Sequence, residues 1–124
     1  MQKLLLIGLA GALGALARYS LGGLVQRYSG FTFPVGTLIV NLLGTFLFGF
    51  IWALVEQRLV VSVETRVIIL SGFLGAFTTF SSFMFETSAL VGDGQWCFAA
   101  LNLAAQIILG LVAVFLGLAA GRAI

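Results

Sequence analysis

An all-α integral membrane protein of four transmembrane helices, the third of them broken, is the fold class this chain predicts, on three observations. It holds 124 residues, 61% of them hydrophobic and 8% charged, with a mean hydropathy of +1.20, which is too apolar for a soluble domain. Its charged residues (Lys3, Arg18, Arg27, Glu56, Arg58, Glu64, Arg66, Glu86, Asp93 and Arg122) cut the chain into stretches of the size of one span, about 20 residues. The third stretch contains Gly72-Phe-Leu-Gly-Ala-Phe-Thr-Thr-Phe-Ser-Ser-Phe83, which sets glycines and four hydroxyls in the middle of an apolar run. A simple anchor has no use for them. At membrane depth every N–H and C=O must find a partner within the protein, so the pattern points to an interrupted helix.

The cuts place the spans near residues 4–24, 35–55, 67–91 and 96–121, a single membrane domain over 1–124. The first carries Gly8, Gly11, Ala15, Arg18 and Gly22 at spacings of three and four, a stripe of small residues expected to face protein. In the second, Pro34 precedes the helix, where its missing N–H is harmless, and Thr37, Asn41, Gly44 and Phe48 share a face. The third runs through the hydroxyl-rich segment, with Gly72 and Gly75 expected to allow its break. The fourth aligns Asn102, Gln106, Gly110, Ala113 and Gly117, again suited to close helix contact. The connections are short, and Gly30, Gly92 and Gly94 mark turns.

These spans take up nearly the whole chain, so function is expected within the membrane. Histidine is absent and Cys97 is the single cysteine, which removes His/Cys metal sets, the usual nucleophilic dyads and any intrachain disulfide. No helix presents paired carboxylates or an activated nucleophile, and the chain is expected not to be an enzyme. The net charge of +2 comes from scattered arginines, so no nucleic-acid partner is expected; the lipid bilayer is. Lys3 with the apolar run to Ala17 imitates a secretory signal, but the later spans favour a first helix that is itself the insertion signal. Lys3, Arg58, Arg66 and Arg122 on one side against Arg27 and the partly buried Arg18 on the other is a weak bias, compatible with insertion in both orientations. The halves show no convincing repeat, so any two-fold symmetry must come from a second copy.

Several residues are able to carry ion chemistry. Asn41 is an intramembrane amide, suited both to helix-to-helix bonding and to ligand contact. Phe80 and Phe83 lie one turn apart, and the positive edges of their rings attract an anion, although phenylalanine is also simply lipophilic. Thr78, Thr79, Ser81 and Ser82 supply donors without a full charge that would trap an anion, or else bond back to the preceding turn. Arg18 fits a vestibule or interface role, since near a helix end it can snorkel. Glu86 suits a vestibule wall, a cap or an interface marker, and as a carboxylate it is kept out of the anion path.

Three blocks in order, Gly11-Ala-Leu-Gly-Ala-Leu-Ala-Arg18-Tyr, Gly36-Thr-Leu-Ile-Val-Asn41-Leu-Leu-Gly44 and the Gly72–Phe83 segment, resemble the CrcB/Fluc family of fluoride channels. The pattern departs at Ala76, where the family often has a second glycine, and at Ser82, where threonine is common. The resemblance implies a four-helix subunit that pairs antiparallel with an identical copy into a dual-topology homodimer with two pores lined by both chains. It implies Asn41 as a pore amide, Phe80 and Phe83 as ring-edge ligands of fluoride, and Ser82 as a pore-side hydroxyl. It further implies backbone carbonyls of Gly75 and Thr78 as ligands of a structural sodium ion at the dimer interface. The implied function is passive export of fluoride across a bacterial inner membrane, protecting the cell from fluoride that entered as hydrogen fluoride. Two alternatives from other classes are a small multidrug-type proton antiporter, which would want a carboxylate in its first helix, and a non-transporting membrane assembly protein.

Overall fold

A computed structural model describes residues 1–58 and 61–124, with the side chain of Arg58 left out. The middle of the Glu56-to-Arg66 connection therefore lies outside the described residues. Among the described residues, four helices long and apolar enough to cross a membrane follow one another: Gln2–Ser29, Val35–Arg58, Val63–Gly92 and Trp96–Ala123. Each outer boundary lies at or beyond the one read from hydropathy. The reason is geometric: the 28 residues of the first helix rise about 42 Å. That exceeds a hydrocarbon core of about 30 Å, and the polar residues 26–29 simply continue the helix into the headgroup region.

The first helix stops at Gly30, whose φ of 64° is left-handed and favours glycine. The turn that follows is tied by Gln26, whose Nε2 donates to the carbonyls of Phe31 (2.8 Å) and Phe33 (3.1 Å). Its Oε1 accepts the Gly36 N–H at 3.0 Å, capping an otherwise free donor of the second helix. The third helix begins at Ser62, which accepts the Thr65 N–H at 3.2 Å. It passes through a wide π turn at Ile68–Leu74, resumes α geometry over Gly75–Phe77, breaks at Thr78 and Thr79, and restarts over Phe80–Gly92. Gly94, at φ 72°, turns the chain into the fourth helix, which has its own π turn at Ala105–Leu109.

The break is present, but not at the glycines expected to cause it. Gly75 has helical φ and ψ of −62° and −34°, whereas Thr78 (−79°, 156°) and Thr79 (−146°, 118°) are extended. Side-chain bonding, described below, opens the helix there.

The glycines serve close approach instead. A Cβ on Gly14 would collide with the Phe73 carbonyl, so the first helix lies directly on the third at that point. Gly14 is the buried residue of its helix, while Gly8 has nothing within 4 Å. The protein-facing stripe thus includes Gly11, Ala15, Arg18 and Gly22 as predicted, is most deeply buried at Gly14 and does not reach Gly8. The second and fourth helices form the other close pair, with Gly117 against the Phe46 carbonyl and Gly121 against Phe50. The core where the first three helices meet holds Val40, Leu70, Leu74 and Phe77, with Ala17, Leu21, Leu47, Ile51 and Phe73 around it. Large apolar side chains cover the outside, including Leu9, Leu13, Leu16, Ile107, Ile108 and Phe115, as lipid contact requires.

Candidate functional site

The break in the third helix is held open by the side chain of Asn41. A continuous helix would send the Thr79 N–H to the Gly75 carbonyl. Here it donates to Asn41 Oδ1 at 2.8 Å, and Asn41 Nδ2 donates back to the Thr79 carbonyl at 3.0 Å. One amide side chain thus satisfies both backbone groups of one residue, which matters because a buried backbone group left unpaired costs about 1–3 kcal/mol. The second hydrogen of Nδ2 goes to Gln106 Oε1 at 3.0 Å, bringing the π turn of the fourth helix to the same point. Within the subunit, Asn41 is therefore bonded as helix-to-helix glue on every side.

One further donor and one acceptor find side-chain partners at the break. The Ser82 N–H, which a continuous helix would give to the Thr78 carbonyl, goes to Thr79 Oγ1 at 3.2 Å as an N-terminal cap. The Ala76 carbonyl takes Arg18 Nε at 3.1 Å, from the first helix. Gly75 and Thr78 are left with carbonyl oxygens that have lost their helical donors. Both residues line a cavity of about 170 Å³ with Gly44, Phe48 and Leu74, and Gly75 is exposed on the subunit surface.

Next to that cavity, sharing Thr45 and Thr78 in its wall, lies a groove of about 290 Å³ in which Asn41, Thr79, Phe80, Phe83 and Gln106 meet. The two rings are edge to face, with centroids 5.8 Å apart and planes at 78°. Phe83 is 5% exposed and Phe80 is 72% exposed, so one ring is seated in the subunit and the other stands on its surface. Ser82 is not in this groove. It lines a cavity of about 420 Å³ with Arg18, Gln26, Thr37, Thr79 and Glu86, and Thr79 borders both spaces. Of the candidate residues, then, the subunit brings Asn41, Phe80 and Phe83 together and puts Ser82 with Arg18 in a separate vestibule-like cavity.

Glu86 lies in that same cavity, where Thr37 Oγ1 donates to its Oε1 at 2.6 Å. Sequence reasoning placed Thr37 on one face with Asn41, Gly44 and Phe48 and did not pair it with Glu86. It also took Gln106 as one of a stripe of packing residues, whereas its amide sits beside Asn41 in the groove. The signal available was the residue type, since an amide on a stripe of glycine and alanine does more than let helices approach.

Comparison with known proteins places this arrangement in context. The model of the family described as "CrcB-like protein, Camphor Resistance (CrcB)" matches residues 5–118. The chain is 54% identical over 122 residues, 98% of each chain, to a protein of Nitratidesulfovibrio vulgaris (strain Miyazaki F) named "Fluoride-specific ion channel FluC". It is 59% identical over 116 residues to a protein of the same name from Nitrosococcus oceani, covering 94% of this chain and 93% of that one. A third, from Solidesulfovibrio magneticus, is 50% identical over 124 residues, 100% of this chain and 99% of the other.

Proposed function

The chain belongs to the CrcB family, and on that premise we propose that it is a fluoride-specific ion channel, a multi-pass protein that exports fluoride passively across a bacterial inner membrane. The observation that carries the reading is the groove where Asn41, Phe80 and Phe83 meet, in a chain alignable end to end with relatives of that name. Fluoride holds its water tightly, so a pore must offer substitutes for that shell without a charge strong enough to trap the ion. Ring edges, an amide and hydroxyls are such substitutes. The passage of an ion, rather than the making or breaking of a bond, is the chemistry these groups suit.

The pore is completed by a second copy in antiparallel orientation. Three features support this. The groove is open on one side, where Phe80 stands exposed. Ser82 and the aromatic pair line different cavities of one subunit, an arrangement that suits an ion path drawn from two chains. The charge bias between the two sides of the membrane is small, as dual insertion needs. Asn41 in this assembly orders the break beside the pore wall, its two amide hydrogens given to the Thr79 carbonyl and Gln106 Oε1, and Arg18 with Ser82 forms the vestibule.

A sodium ion fits between the copies. The Gly75 and Thr78 carbonyls lack their helical donors, and Gly75 is exposed, so two facing breaks would offer four hard oxygen ligands of the kind such a cation prefers. Bound there, the ion would join the two breaks as a structural cross-link.

Reconstitution in liposomes separates this reading from its rivals. Rapid passive fluoride efflux supports the channel. Proton-coupled uptake of cationic drugs would put the antiporter in its place, and neither activity would leave an assembly protein.

A further inference from the structure

A second buried polar chain ends on Phe83 itself. The Phe83 carbonyl can only accept, so the bond to it at 2.8 Å has Thr87 Oγ1 as donor. With its hydrogen committed, the Thr87 oxygen accepts in turn from Asn102 Nδ2 at 2.9 Å. Thr87 is 7% exposed and Asn102 is fully buried. A threonine bonded one turn back along its own helix is common and means little alone. Asn102 is the independent observation. Its Oδ1 is buried with no partner among the described residues, so the side chain bears an uncompensated acceptor that a leucine of similar size would not. Packing between the third and fourth helices does not require it.

Gln106 lies one turn further along the fourth helix and reaches the Thr79 carbonyl through Asn41 Nδ2. The backbone is therefore tied to a fourth-helix amide through Asn41 immediately before Phe80 and through Thr87 at Phe83. We propose that Asn102 is a positioning residue for permeation, acting through the Thr87 hydroxyl on the Phe83 carbonyl to fix the height and tilt at which the Phe83 ring meets Phe80. A back-bonding threonine bends its helix, and the Asn102 bond decides which rotamer Thr87 holds and so how the turn after Phe83 is bent. The inference rests on the pore reading above.

The test is fluoride efflux from liposomes, measured per folded dimer, in Asn102→Leu, Thr87→Val and Thr87→Ser, each alone and combined with Phe83→Ile. Asn102→Leu and Thr87→Val are expected to slow efflux about tenfold or more, and Thr87→Ser, which keeps the hydroxyl, to stay within about twofold of the native rate. In the Phe83→Ile background neither Asn102→Leu nor Thr87→Val should slow it further, because the relay acts through the missing ring. Equal slowing in both backgrounds would mark a merely structural role and overturn the proposal. So would native efflux in the single variants beside a slow Phe83→Ile. Native efflux in Phe83→Ile would instead overturn the pore reading and this inference with it. If Asn102→Leu does not assemble, the contrast between Thr87→Val and Thr87→Ser decides the same question.

Discussion

Asn41 and Thr79 face each other across two helices like paired residues of a sheet, the side-chain amide of one giving and taking a hydrogen bond with the peptide of the other, at 3.0 and 2.8 Å. That reciprocity makes the break a built feature. It also ties the second helix, the third helix and, through Gln106, the fourth to one point beside the aromatic pair.

Asn41→Asp is expected to be worse than the loss of a ring. The change is isosteric, but it sets a carboxylate oxygen against the Thr79 carbonyl and Gln106 Oε1, acceptors that the native amide supplies with hydrogens. Stability should fall by at least ~2 kcal/mol, read as a lower thermal midpoint in detergent, with fluoride efflux lost. A native midpoint and native efflux would contradict the role given to the amide.

Gly75→Val is expected to spare the subunit and weaken the dimer. A Cβ at Gly75 meets only the Leu70 carbonyl, at 3.7 Å, so the subunit has room for it and any crowding comes from a partner. Helical content should match the native protein while the dimer dissociates at higher concentration and loses its response to sodium. Gly8→Val, at a helical position with nothing within 4 Å, is the control and should change neither. Gly14→Val should unfold the subunit itself, because its Cβ would enter the Phe73 carbonyl. A native, sodium-responsive dimer in Gly75→Val would remove the proposed central site.

Dual topology predicts that each end of the first helix labels from both sides. Lys3 and Arg27 are both exposed and stand about 36 Å apart along that helix, beyond the thickness of the hydrocarbon core. With exposed Cys97 replaced by serine, Lys3→Cys and Arg27→Cys should each react partly with an impermeant thiol reagent added to intact cells. Reaction of one and full protection of the other would establish a single orientation.

Much of this molecule could be read before its fold was seen, and the reasons differ by feature. The four spans were legible because hydropathy and charge placement alone decide them. The existence of a break was legible because hydroxyls and glycines at membrane depth need explaining. Its position was not, since Thr78 and Thr79 are opened by Asn41, a residue 38 positions earlier in the chain. Local propensity favours Gly75 as the breaker, and a long-range hydrogen bond overrides it. The Gly14 contact was missed for a similar reason, because the spacing rule gives a face and only the packing against Phe73 shows which of its residues lies closest. The partners of Thr37 and Gln106 depend on how helices far apart in sequence lie together, which no periodicity reports.

The most direct measurement of the central claim, that the aromatic pair beside the break lines the fluoride path, is efflux from liposomes by Phe80→Ile and Phe83→Ile at matched dimer content. Isoleucine keeps apolar bulk and lacks the electropositive ring edge, so packing is largely preserved while the proposed ion contact is removed. Each variant should assemble as a dimer and release fluoride at least about tenfold more slowly than the native protein, a deficit of about 1.4 kcal/mol or more in the permeation barrier. Native rates in both variants would contradict it.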